Sequence, residues 1–153
     1  MDGHTLRDYR QRYGLSQAEV AREAGMRQPD LSAIEHNRRG SDSVNRRVEA
    51  AIRRLVRPSA AIAGEQNRRD LRETLLKYGA RDIRVFGSTA RGDDRPGSDL
   101  DIMATFPPGF DLFDLMAVEA DIEARLGIHV DVVSEDHRTP YALAEAKADA
   151  VPL

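Results

Sequence analysis

Along residues 1–57 the apolar positions recur every three or four residues; beyond residue 66 that helical spacing alternates with the two-residue spacing of strands. Leu6, Tyr9, Arg10 and Tyr13 predict a short first helix, stopped by Gly14. A second starts at Leu15-Ser16-Gln17-Ala18-Glu19-Val20, where Ser16 is placed to cap the Glu19 amide and Glu19 to reach back. Leu15 can staple onto Val20, and Gly25 ends the helix. Arg27-Gln28-Pro29 opens a third, with Pro29 in the first turn, where no hydrogen bond is lost, and Leu31 and Ile34 inside. A longer helix over about 43–54 turns Val44, Val48, Ala51, Ile52 and Leu55 inward, and Arg46, Arg47, Arg53 and Arg54 outward.

Pro58 ends that helix, and small residues follow to Gly64, which predicts a linker over 58–66 between modules at 1–57 and 67–153. In the second module the pattern predicts a helix from Asn67 to Tyr78 and a strand Ile83–Phe86 running into Gly87-Ser88-Thr89-Ala90-Arg91-Gly92. A turn holding Asp93, Asp94, Pro96 and Gly97 reads as solvated. A strand Asp99–Ala104, a helix Asp111–Leu126, a strand Ile128–Val133 and a helix from about Tyr141 to Ala150 complete it.

Composition narrows the class. Apolar residues make up 41%, charged ones 32% and aromatics 5%, which suits a soluble globular protein and leaves few rings for stacking on single strands. The absence of cysteine excludes disulfides, thiolate zinc sites and a Cys nucleophile. No apolar run reaches membrane length and Met1-Asp2-Gly3-His4 leads into no signal region, so the cytoplasm is the expected location. The net charge of -3 conceals an asymmetry: +3 up to Gln66 and -6 from Asn67 onward. Opposite signs suggest a polyanion for the first module and cations or a basic protein for the second.

Two short helices joined by a glycine-containing turn are a helix-turn-helix arrangement, and its spacing is specific. Ala21 is small where the second helix crosses, and Val20, Ala24, Met26, Leu31 and Ile34 fill the apolar places. Residues 15–35 resemble the Xre/Cro-type repressor family, although that family often has Ser where Arg27 stands, which leaves the third helix without its usual cap. The resemblance implies that residues 27–36 enter a major groove of operator DNA, with Arg27, Gln28, Asp30 and Ser32 nearest to it. Gln28 suits adenine, and Asp30 suits cytosine or the tuning of a neighbouring side chain. Gln17 would bond a phosphate, Arg38 and Arg39 would add charge, and a dimer on a two-fold site would be expected.

The chemistry belongs to the second module. Asp99 and Asp101 are two apart on a strand, so both carboxylates share a face. Asp131 alternates with Val130 and Val132, and if the strands are adjacent three carboxylates converge. At an effective dielectric near 20, two charges ~4 Å apart repel by roughly 4 kcal/mol, so such a trio needs a cation or a proton. All-oxygen ligation favours Mg2+ or Mn2+. Beside it, Gly87 admits a phosphate to the backbone, Ser88 offers a hydroxyl, and the following amides face an anion.

Gly87-Ser88, ten residues, then Asp99-x-Asp101 resembles the G-S-x10-D-x-D motif of polymerase-beta-type nucleotidyltransferases, and Phe86 to Gly92 with Ser98 to Asp101 resembles their minimal (MNT) branch. Asp131 matches the family's third carboxylate. The resemblance implies an α+β chain: an N-terminal all-α helix-turn-helix domain and a C-terminal α/β nucleotidyltransferase domain with a small mixed sheet. It implies ATP as substrate, held by Gly87, Ser88 and Arg91, with Asp99, Asp101 and Asp131 as metal ligands and catalytic groups. MNT proteins are commonly antitoxins that move AMP onto a tyrosine of a HEPN ribonuclease toxin, so a HEPN-type partner, autoregulation of the operon, and a homodimer or hetero-oligomer with the toxin are expected. Two other readings stay open: a catalytically silent antitoxin or repressor, and a small-molecule nucleotidyltransferase completed by a dimer mate. His4, His36, His129 and His137 show no metal-ligand spacing.

Overall fold

The computed structural model describes residues 1–38, 40–136 and 140–153, so Arg39 and His137 lie outside the described residues. The chain divides into two compact units, Met1–Val56 and Arg57–Leu153. Among the described residues no helix is long and apolar enough to cross a membrane.

The first unit is helical: α1 (Gly3–Arg12), α2 (Gln17–Glu23), α3 (Gln28–Glu35) and α4 (Asp42–Leu55). Local chemistry sets the starts. Asp2 accepts from the Thr5 amide at the head of α1, and Ser16 and Glu19 form the reciprocal capping box expected for α2. Arg27 caps α3 with no side-chain bond, and Pro29 stands in its first turn. Leu6, Val20, Leu31, Val48 and Ile52 are fully buried between the four helices. Among them sits a buried ion pair. Glu35, with no exposed surface, receives Arg10 Nε at 2.6 Å and Nη2 at 2.9 Å, while Arg10 Nη1 donates to the Leu15 carbonyl. Burial pushes the Glu35 carboxyl up, but hydrogen bonds from Arg10 and Gln17 outweigh it and hold the group below its ordinary 4.5.

The second unit runs α5 (Pro58–Ala63), α6 (Glu65–Lys77), β1 (Arg81–Phe86), α7 (Gly87–Arg91), β2 (Leu100–Thr105), α8 (Leu112–Leu126), β3 (Val130–Ser134), α9 (Pro140–Asp149) and β4 (Val151–Pro152). The sheet order is β3-β2-β1-β4, with β2 antiparallel to β1, β1 antiparallel to β4, and β2 parallel to β3 through the α8 crossover. One face buries Val85, Leu100, Ile102, Val130 and Val132, on the side of α6 and α8, whose Leu71, Leu75, Val118, Ile122 and Leu126 are buried too. On the other face Phe86, Met103 and Val133 pack with Ala146 and Leu143 of α9. That leaves the start of β2 and β3 uncovered by the cluster, which is where the carboxylates lie.

Edge strand β3 is closed by α8. Glu123 accepts from the Val130 amide at 3.2 Å and Glu119 from the Val132 amide at 2.9 Å. The match is geometric: four residues of helix rise about 6 Å and two residues of strand about 6.6 Å. Two amides that a foreign strand would otherwise pair with are thereby satisfied.

Three features add to the sequence pattern. Within 58–66, Pro58 opens α5 as well as following α4, and Asn67, buried at the start of α6, donates to the Ala61 carbonyl at 2.7 Å. Asp94 is not solvated; it is buried and accepts from the Ser59 amide at 2.8 Å, tying α5 to the loop before β2. The chain also adds β4, which the pattern hid because only two residues pair and one is Pro152, tolerated on an edge.

Replacing Arg10 by Met leaves Glu35 buried and uncompensated, and should cost about 3–5 kcal/mol, read by urea denaturation. The double change Arg10→Met/Glu35→Leu should recover most of that loss. Because the Glu35 pKa is depressed on folding, its contribution is present above 4.5 and is lost as pH falls through the lower folded value; Glu35→Gln should flatten that acid limb of a melting-temperature profile.

Candidate functional site

Phe86 of β1 stands opposite Asp101 of β2, and Asp101 stands opposite Asp131 of β3. Register partners share a face, so the two carboxylates lie on the same side of neighbouring strands. Asp99 lies one residue before β2 and two before Asp101. Asp101 is half-buried; Asp99 and Asp131 are exposed. Directly after Phe86 the chain turns at Gly87 with φ +67, and a Cβ there would fall 2.4 Å from Asp101 Oδ2. Glycine is therefore required twice, for the left-handed turn and for the close approach to the carboxylate.

Gly87 opens α7, whose amino end carries no side-chain cap. Ser88 is half-buried there and Thr89 buried. Arg91, expected at the nucleotide, donates from Nη1 to Asp149 at 2.6 Å and from Nε to Asp93 at 3.4 Å, which links α7 to the end of α9. Those two carboxylates raise its pKa further.

The donors fit a hard divalent cation: oxygen only, register-paired and open to solvent. Among the described residues, however, no three acidic or histidine side chains already gather around one ion position. Mutual repulsion opposes such a gathering. Glu119, which the sequence reading missed, adds to the field: burial and then the Asp131 charge hold its carboxyl above the ordinary 4.5, against the opposing bond from Val132. Its signal was its place four residues before Glu123 on the helix that crosses over to β3.

In the first unit two of the expected DNA-facing residues, Gln17 and Gln28, form a polar chain that starts at Glu35. Glu35 accepts from Gln17 Nε2 at 2.8 Å, and Gln17 Oε1 accepts from Gln28 Nε2 at 2.7 Å. Arg27 and Asp30 pair at 3.0 Å, which raises the Arg27 pKa. Ser32 is half-buried on α3, its carbonyl 2.7 Å from His36 Nδ1, and Arg38 is exposed. Gln28 is exposed at the start of the helix, the end nearest base edges when such a helix enters a groove.

Comparison with known proteins converges on the same two units. A nucleotidyltransferase domain model matches residues 68–151 and a helix-turn-helix domain model residues 3–65. The chain belongs to the nucleotidyltransferase family. It is 37% identical over 79 residues to a "putative protein adenylyltransferase" of Methanocaldococcus jannaschii, covering 52% of this chain and 85% of that protein. A solved structure described as a "putative minimal nucleotidyltransferase" aligns with TM-score 0.54 and 34% identity, over 61% of this chain and 95% of the other. A toxin–antitoxin crystal structure with AMP-PNP aligns with TM-score 0.53 at 18% identity, over 56% of this chain and 71% of the other, which shows a shared fold.

For this nucleotidyltransferase the spacing Gly87-Ser88 to Asp99-x-Asp101 has a structural reason. The intervening residues form α7 and a turn held by Arg95 and Ser98, so the antiparallel return of β2 brings Asp101 back beneath Gly87. Gly87→Ala should cost about 1–2 kcal/mol from the left-handed backbone alone and should displace the Asp101 carboxylate. Denaturation midpoints measure the first effect. The second should appear as weaker nucleotide binding in calorimetry with Mg2+ present.

Proposed function

We propose that the chain is an antitoxin-type nucleotidyltransferase: it transfers AMP from ATP to a tyrosine hydroxyl of a partner HEPN ribonuclease toxin and, through its helix-turn-helix unit, binds the operator of its own operon. The observation that carries the transfer reading is that Asp101 and Asp131 stand side by side on β2 and β3, with Asp101 directly under Gly87 where the chain leaves β1. The relatives named as adenylyltransferases and the fold shared with a toxin–antitoxin complex support the choice of donor and partner.

In this reading Gly87 and Ser88 hold the polyphosphate, with Gly87 allowing the backbone to come close. Arg91 steadies α7 through Asp149 and can turn one donor to a phosphate oxygen. Asp99, Asp101 and Asp131 would hold Mg2+ or Mn2+, which when bound supplies charge neutralisation at the phosphates. Asp131, exposed on the edge strand, accepts the proton of the incoming hydroxyl. The hydroxyl oxygen forms a bond to the α-phosphorus, the bridging bond to the β-phosphate breaks, and pyrophosphate departs.

One observation favours a second reading, neutralisation by binding alone: the acids are not already gathered around an ion position among the described residues. Incubating the pure chain with labelled ATP, Mg2+ and the product of the adjacent reading frame separates the two. Transfer predicts label on the neighbour, lost to background in Asp99→Asn/Asp101→Asn. Toxin neutralisation that survives the same double change, with no label from wild type, would establish binding alone. For the head, Gln28→Ala should weaken operator binding by ~1–3 kcal/mol and relax sequence preference, read by gel shift against random duplex.

A further inference from the structure

Helix α8 is apolar on two sides. Its inner side buries Val118, Ile122 and Leu126 against the sheet. Its outer side also carries large apolar groups: Leu112 is 68% exposed, Phe113 79% and Met116 56%. Ala117 and Ala120, both exposed, continue the stripe along the helix at spacings of one, three and four residues. Solvent gives no reason for a phenylalanine and a methionine to stand one turn apart on an outward face, and contiguous patches of this kind mark interaction sites. The small alanines beyond them allow another backbone to approach closely.

Charge selects the occupant. At 3.6 residues per turn, Asp114 and Asp121 flank the stripe on one side, with Arg125 near them, and Glu119 and Glu123, which also hold the β3 amides, lie on the other, so acids outnumber bases four to one. A second copy of α8 laid on this face would set mostly acid against acid, with Arg125 as the single base. An apolar helix with arginine or lysine on its margins would meet an opposite charge at each margin. We propose that the outer face of α8 docks such a basic-rimmed helix of the partner toxin. This rests on the transfer reading and adds where the partner sits. The stripe also points toward the chemistry: α8 leads through Gly127 into β3, and Glu119 beside the stripe accepts from the amide of Val132, the residue after Asp131. A protein lying along α8 is thereby brought to the strand that carries Asp131.

The test measures affinity of the full chain for the product of the adjacent reading frame, by calorimetry, with the chain as it is and as Phe113→Asp/Met116→Asp. Both side chains are exposed, so the melting temperature should hold, and binding should weaken roughly 30-fold or more, as for central aromatic anchors. Ala120→Arg, helix-compatible and further along the stripe, should weaken binding independently, and added salt should weaken binding to the unmodified chain. Unchanged affinity and labelling in both variants overturns the docking face and leaves the transfer reading standing. Stripe-dependent binding without label supports the docking face and removes the transfer reading. No binding by the unmodified chain overturns both. Self-association that Phe113→Asp abolishes would make a second copy the occupant and overturn the proposal.

Discussion

The nucleotidyltransferase unit is organised around the approach of a carboxylate to a backbone. Gly87 must turn through a left-handed conformation directly above Asp101, and only a residue without Cβ does both. Because β1 and β2 are antiparallel and β2 and β3 parallel, fixing Asp101 under Gly87 also fixes Asp131 beside it, one strand further on. A slip of one residue in either pairing would turn a carboxylate into the apolar face shared with α6 and α8. That face is filled by Leu100, Ile102, Val130 and Val132, so the core enforces the register on which the acidic row depends.

The same packing explains how acidic side chains can line a sheet edge. β3 would expose a row of amides, but Glu119 and Glu123 occupy two of them from α8. This protects the edge and at the same time adds negative charge beside Asp131. Hydrogen bonding to Val132 favours the ionised Glu119, whereas burial and Asp131 disfavour it, and the second pair wins. The local field is one in which a cation is the natural complement.

Much of this was legible in the sequence because it is local. The Ser16–Glu19 capping box, the Gly25 turn and the strand-to-Gly87 turn depend on neighbouring residues, and each stands where its pattern put it. Adjacency of β2 and β3 was a condition the sequence could pose but not answer; the parallel crossover through α8 answers it. Other features depend on distant partners. Asp94 looked like turn chemistry among Asp93, Pro96 and Gly97, and only the Ser59 amide, 35 positions away, gives its burial a reason. Alanine-rich α5 falls where Pro58 and the small residues after it predicted a linker, and Asn67 anchors it from the next helix. β4 has too few residues to carry a period at all.

The head shows why a costly interaction is retained. Desolvating Arg10 and Glu35 cancels most of their attraction, so an apolar pair of similar volume would serve stability as well. What an apolar pair could not do is present an oxygen to Gln17. Glu35 spends one carboxylate oxygen on Arg10 Nε and shares the other between Arg10 Nη2 and Gln17 Nε2. With its amide held from below, Gln17 turns its carbonyl oxygen toward Gln28, and the exposed glutamine is restrained through two hydrogen bonds to a group that cannot move. Restraint of that kind lowers the rotamer entropy lost when a side chain meets a base edge. The buried pair therefore contributes little as a bond and more as the fixed end of a polar chain that reaches the surface of α3.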